Sequence, residues 1–156
     1  MSPHGVIAQA LGAQGQPLPA FRAAERAFAE AVGHRLFTIM ALHRAAGAGE
    51  RVYSSNPEAY PVAGRKPLPD NRWTEQVVVG MRPFLATSLE EIAGVFPDHR
   101  LIASLGCGSV INTPVIHGGQ VVGTVNLLDA PGRYRADQLA ICQELGQYLI
   151  TGLLNA

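Results

Sequence analysis

The sequence is poor in the features that announce most specialised chemistries. Cys107 and Cys142 are the only two cysteines in 156 residues, too few for a disulfide framework, and no C-x-x-C or H-x-x-x-H spacing supplies a metal site. Charge is scarce at 15% and balanced, with 12 Lys plus Arg against 12 Asp plus Glu, so no global field draws the chain to nucleic acid or to an anionic membrane. Gly, Asn, Thr or His interrupts every apolar run well before a bilayer is spanned. The first residues lack the basic start and apolar middle of an export signal, which makes the cytoplasm the expected location.

What is present is a hydrophobic fraction of 47% with 17 Gly and 11 Pro, the composition of one globular domain rich in turns. Residues 1–19 hold Gly5, Gly12, Gly15, Pro17 and Pro19 and no sustained apolar period, which predicts a mobile arm ahead of a folded domain at 20–156. From Ala20 to Val32 the spacing of Phe21, Ala24, Phe28, Ala31 and Val32 predicts a helix ended by Gly33. Leu36 to Leu42 and Arg51 to Ser54 read as a hairpin around the glycines at 46–49. Residues 56–71 carry Pro57, Pro61, Pro67 and Pro69 and are expected to be irregular, a long loop that invites a functional reading.

Trp73 to Met81 predicts a short helix, and Ser88 with Glu91 predicts a capped helical turn to Ala93, stopped by Phe96 and Pro97. Two apolar stretches around Gly118-Gly119 form the clearest hairpin signal. Counting back from that turn pairs Thr113 with Thr124 and sets Asn126 beside Ile111, so Asn112 and Asn126 are expected on opposite faces unless a bulge intervenes. Ala136 to Leu154 predicts a long closing helix. The order contains no β-α-β rhythm, so the expected class is α+β: an antiparallel sheet with the terminal helices on one face and a ligand pocket under crossing loops on the other.

The segment PVIHGGQVVGTVNLLD at 114–129, preceded by FPDHRLIASLGCGSVINT at 96–113 and followed by a terminal helix, resembles the carboxyl half of a GAF domain. The rest of 20–154 can be laid on that family in order, with RPFLATSLEEIAGVFPD at 82–98 where many members have a ligand-facing loop. The resemblance implies a small-molecule pocket on the open sheet face and a dimer through the terminal helices. Members that link a bilin usually follow the attachment cysteine at once with His, whereas Gly108 follows Cys107. The free methionine-(R)-sulfoxide reductases use paired cysteines and strand acids, where this chain has one cysteine in the crossing region and Asn126 and Leu128 at two acid positions. The Asn-Lys-Phe-Asp-Glu set of cyclic-nucleotide members is absent in that order.

Two functions follow as expectations. In the first, the chain is a binding module for a planar or carboxylate-bearing effector, acting through a homodimer or a separate output protein, with no metal or other cofactor. Tyr53, Tyr60 and Trp73 would supply an aromatic wall, Arg82 and Arg100 guanidinium clamps, and Asn126 a buried amide that must find a partner. In the second, the chain is a small enzyme in which Cys107, between two glycines, acts as nucleophile or redox centre with His99 as its base.

Overall fold

A computed structural model describes all of residues 1–156. Six strands form one antiparallel sheet in the order β3-β2-β1-β6-β5-β4, from β1 (Leu36–His43), β2 (Ala48–Ser54), β3 (Lys66–Pro67), β4 (Phe84–Ala86), β5 (Ser109–His117) and β6 (Gln120–Asp129). Helices α1 (Pro3–Ala10), α2 (Leu18–Ala31), α5 (Leu139–Gly146) and α6 (Ile150–Leu154) pack on one face. The short α3 (Leu89–Ala93) and α4 (His99–Ser104), with the loops around them, cover the other. No helix is long and apolar enough to cross a membrane.

Strand alternation divides the side chains between two cores. Phe37, Ile39, Ala41, Ile111, Val115, Val125 and Leu127 point to the helices and meet Phe21, Phe28, Leu145 and Leu149. Leu36, Val110 and Leu128 point the other way and meet Trp73, Val77, Ile92 and Ile102. This α+β arrangement is the expected one. Gly33, at φ 98°, ends the approach of α2 with its N–H bonded to Phe28 O, and Ser88 caps α3 through the Glu91 N–H at 3.2 Å.

Several local expectations are corrected. The first residues do not lack regular structure: Pro3–Ala10 is helical, capped by Ser2, and fully buries Ile7 in the helix-side core. An eight-residue helix with one deep anchor leaves too weak a periodic signal to read from the sequence. The stretch after Trp73 forms a π-helix over Thr74–Val79, and a further helix, α4, follows the stop at Phe96 and Pro97. The closing helix is broken by a 3-10 turn at Gln147–Leu149. There the Gln147 side chain satisfies both the N–H and the C=O of Ile116, each at 2.8 Å.

The Gly118-Gly119 turn is as expected, with φ of 60° and 76° and His117 paired to Gln120. The register behind it is not. A bulge between Val115 and Ile116 leaves Val122 as the extra residue of β6, so Thr113 faces Val125 and Asn112 faces Asn126 directly. One inserted residue turns a strand segment over, and this one brings both asparagines to the same face.

Candidate functional site

That face forms the floor of a cavity of about 310 Å³, at the lower end of the roughly 300–1,000 Å³ typical of small-ligand pockets. Strands supply the floor: Thr38 and Met40 from β1, Gly49 and Arg51 from β2, Val110 and Asn112 from β5, and Thr124, Asn126 and Leu128 from β6. The roof comes from the proline-rich loop through Tyr60 and residues 63–69, and from Trp73, Phe96, Pro97, Asp98 and Ile102. Prolines cannot complete a sheet ladder, yet Pro67 lies in a two-residue edge strand where no further donor is needed. Leu68 N–H to Gly47 O and Ala63 N–H to Arg51 O also tie this loop to the sheet.

A continuous hydrogen-bonded row crosses the floor. The Trp73 indole Nε1–H donates to Asn112 Oδ1 at 2.9 Å, Asn112 Nδ2 to Asn126 Oδ1 at 2.8 Å, and Asn126 Nδ2 to Thr38 Oγ1 at 3.1 Å. Beside the row, the hydroxyl of Thr124 is buried without a partner. Asn71 holds the start of the row, accepting the Trp73 N–H at 2.9 Å while its own amide donates to Val95 O at 3.0 Å. Phe96 meets the indole edge-on at 6.0 Å.

A second group pins the roof. The Tyr60 hydroxyl donates to Asp98, the Arg51 guanidinium carbon lies 3.8 Å from the Tyr60 ring centroid, and Arg51 Nη1 donates to Pro61 O at 2.7 Å. Burial, and then the bond to the Asp98 carboxylate, pushes the Tyr60 phenol well above its usual range, so it stays a protonated donor. Lys66 stands exposed in the wall and enters no ion pair. The cavity therefore joins aromatic and apolar walls, neutral hydrogen-bonding groups below, the cations Arg51 and Lys66 at its edge, and the Asp98 carboxylate occupied by the Tyr60 hydroxyl.

Of the residues expected to form a site, Tyr60, Trp73 and Asn126 meet at this cavity. Tyr53 does not: Val52 is an extra residue between the pairs Met40–Arg51 and Ile39–Tyr53, so Arg51 faces the cavity and Tyr53 faces the helices. There it donates to Glu25 Oε1 at 2.5 Å and packs edge-on against Phe21 and Phe37. Arg82 and Arg100 are exposed and lie outside the cavity wall.

Cys107 is buried on the cavity's side of the sheet but does not line the cavity, and burial raises its thiol pKa, against a smaller opposing effect of Arg35. His99 opens α4, lies outside the cavity wall and makes no hydrogen bond to the thiol. Cys142 sits in the opposite core, its thiol pushed up to about 12 by burial. No group of three His, Cys, Asp or Glu side chains is placed to hold a metal ion.

Thr38, Arg51, Lys66, Asn112 and Thr124 are among the floor and wall residues that sequence reasoning did not collect. The signal for two of them was legible: Thr124 stands two before Asn126 in an apolar strand, and Thr38 alone interrupts LFTIMALH near its start. A polar residue at every second position of a buried strand marks one face as a site.

No protein-family model matches the sequence, and no curated protein matches it. Solved structures do. The GAF domain of a phosphoenolpyruvate-protein phosphotransferase from Coxiella burnetii superposes with a TM-score of 0.77 at 12% identity, over 99% of this chain and 91% of that one. The corresponding Acinetobacter domain gives 0.74 at 12% identity over 99% and 91%. Free methionine-R-sulfoxide reductase from Neisseria meningitidis, solved with its substrate, gives 0.71 at 12% identity over 96% and 84%. At such identities the likeness speaks for architecture, and it agrees with strand order, helix placement and the covered sheet face: the chain has the fold of a GAF domain.

Proposed function

We propose that this chain is a small-molecule-binding module whose effector is a compact planar or carboxylate-bearing compound held in the cavity between the sheet and the proline-rich loop. The observation that carries this reading is the row Trp73–Asn112–Asn126–Thr38 laid along the floor of an aromatic-walled cavity. Buried amides need partners, and a protein that needs only a core fills such positions with apolar side chains. Arg51 and Lys66 favour an anionic group at the wall. A relative in fold that belongs to a two-component sensor histidine kinase from Bacillus halodurans makes a signalling role the natural context.

The module acts on a second chain, either another copy across the terminal helices, where Leu11, Leu18 and Leu154 stay exposed, or a separate output protein. Its location is the cytoplasm. A reaction centred on Cys107 has weaker support, because the thiol lies away from the cavity and burial disfavours its thiolate.

The test is native mass spectrometry of protein purified from its own host, followed by thermal-shift titration with small aromatic carboxylates. A bound compound, or a saturable rise in melting temperature lost in Asn126→Leu, supports the reading. Protein that carries nothing and responds to no member of the panel refutes it.

A further inference from the structure

The direction of the floor row is set at one end. An asparagine amide can present either its oxygen or its nitrogen to a neighbour, and the two are chosen by the network around it. The indole of Trp73 is a donor only. It therefore holds Asn112 Oδ1 towards itself at 2.9 Å and turns Nδ2 towards Asn126. Asn126 must answer with its oxygen, which turns its own Nδ2 to Thr38. Thr38 Oγ1 is left as the acceptor of the last bond, and no protein group takes its proton.

Counting what remains along the floor gives a bias. Each amide keeps one N–H without a protein partner, Thr38 keeps its O–H, and the Thr124 hydroxyl beside them is unpaired. The amide oxygens each already accept a bond, and a carbonyl with one of two acceptor sites filled is a lesser demand than an N–H with none. Reversing either amide would bring two donors or two acceptors face to face somewhere in the row, so the bias cannot relax while the indole is present.

We infer that Trp73 is a specificity-determining residue: by fixing the polarity of Asn112, Asn126 and Thr38 it makes the cavity floor a hydrogen-bond-donating surface, which selects a ligand with an acceptor, a carboxylate or carbonyl oxygen, at its buried end. This rests on the binding role proposed above and adds to it which end of the effector enters first. Arg51 and Lys66 stand in the wall and do not account for selection among neutral compounds.

The experiment compares three single-ring probes on the ¹⁵N-labelled protein: benzoate, the neutral acceptor acetophenone and the neutral donor aniline. The lone tryptophan gives one indole N–H resonance, which reports the row directly alongside the Asn112 and Asn126 amides. Acetophenone is expected to bind about tenfold more tightly than aniline, the effect of one ordinary hydrogen bond. In Trp73→Phe, which keeps an aromatic ring and removes the donor, the row is free to reverse and the two neutral probes converge to within about threefold.

Thr38→Val is the second variant and does not disturb the indole; it weakens acetophenone about threefold or more and leaves aniline unchanged. Equal affinity for acetophenone and aniline in the wild type overturns the inference while leaving cavity binding intact. So does a preference well above threefold in folded Trp73→Phe, or a wild-type preference left undiminished in Thr38→Val should Trp73→Phe not fold. Failure of all three probes to bind the wild type overturns the binding role and this inference together.

Discussion

Replacing Thr124 by valine separates the stability of this protein from its proposed use. Thr124 lies in β6 opposite Met40, has no exposed surface, and carries the one buried side-chain polar atom without a hydrogen-bond partner. A buried hydroxyl left unpaired costs about 1–3 kcal/mol. Valine keeps the β-branch, so strand preference and side-chain stiffness are conserved while the hydroxyl becomes a methyl of similar shape. The methyl is slightly larger and the site is closed, which places the expected gain near the lower bound, about 1 kcal/mol. In a chain of this size that raises the melting temperature by roughly 2–4 °C.

The assay is urea denaturation followed by circular dichroism, in which Thr124→Val moves the midpoint upward at an unchanged slope. Titration with benzoate then completes the test. If the hydroxyl is kept for a ligand, the variant binds about threefold or more weakly although it is more stable, the trade expected where a site carries a locally unfavourable group. A variant less stable than the wild type by more than about 0.5 kcal/mol would refute the reasoning, because it would mean that the hydroxyl is partnered in the free protein. Greater stability with unchanged affinity would refute the functional half alone.

Other outcomes follow from the same structure. Ile7→Ala is expected to cost about 2–5 kcal/mol in the same urea assay, because the side chain is fully buried between the first helix and the core; a loss under about 0.5 kcal/mol would return residues 1–19 to the status of an independent arm. Tyr60→Phe removes the roof bond to Asp98 and should speed amide hydrogen exchange across residues 56–71 more than across β5 and β6, with a stability loss of about 1 kcal/mol. Iodoacetamide near neutral pH should label Cys107 and Cys142 far more slowly in the folded than in the urea-unfolded protein, since burial raises both thiols. The sign is that of a group favoured in its protonated form: neither thiol affects stability near neutral pH, and each lowers it as the medium becomes alkaline enough to ionise the unfolded thiols.

Trp73 and Asn126 were visible as site candidates because each conflicts with its surroundings, an aromatic donor beside a proline-rich loop and an amide inside an apolar strand. Tyr53 shows the limit of that reasoning. It is two residues from Arg51 and would share its face in a regular strand, yet the extra Val52 turns it to the helices. The same effect at Val122 moves Asn112 onto the face of Asn126. The bulge at Val52 has no glycine or proline beside it, and the one at Val122, although Gly123 follows it, sits in a strand whose alternation reads on without a break.

By itself, the order of amino acids determined the two-residue Gly-Gly turn, the Ser88 cap, the helical stripe of α2 and the α+β class, because each rests on contacts a few residues apart or on simple alternation. Only the tertiary structure decided which asparagines meet, that Tyr53 leaves the cavity and Arg51 enters it, and that Cys107 and His99 form no pair. The first two outcomes depend on strand register, and register is set by the best joint packing of two cores across one sheet. One extra residue reverses every side chain beyond it, a choice no local stretch of sequence contains.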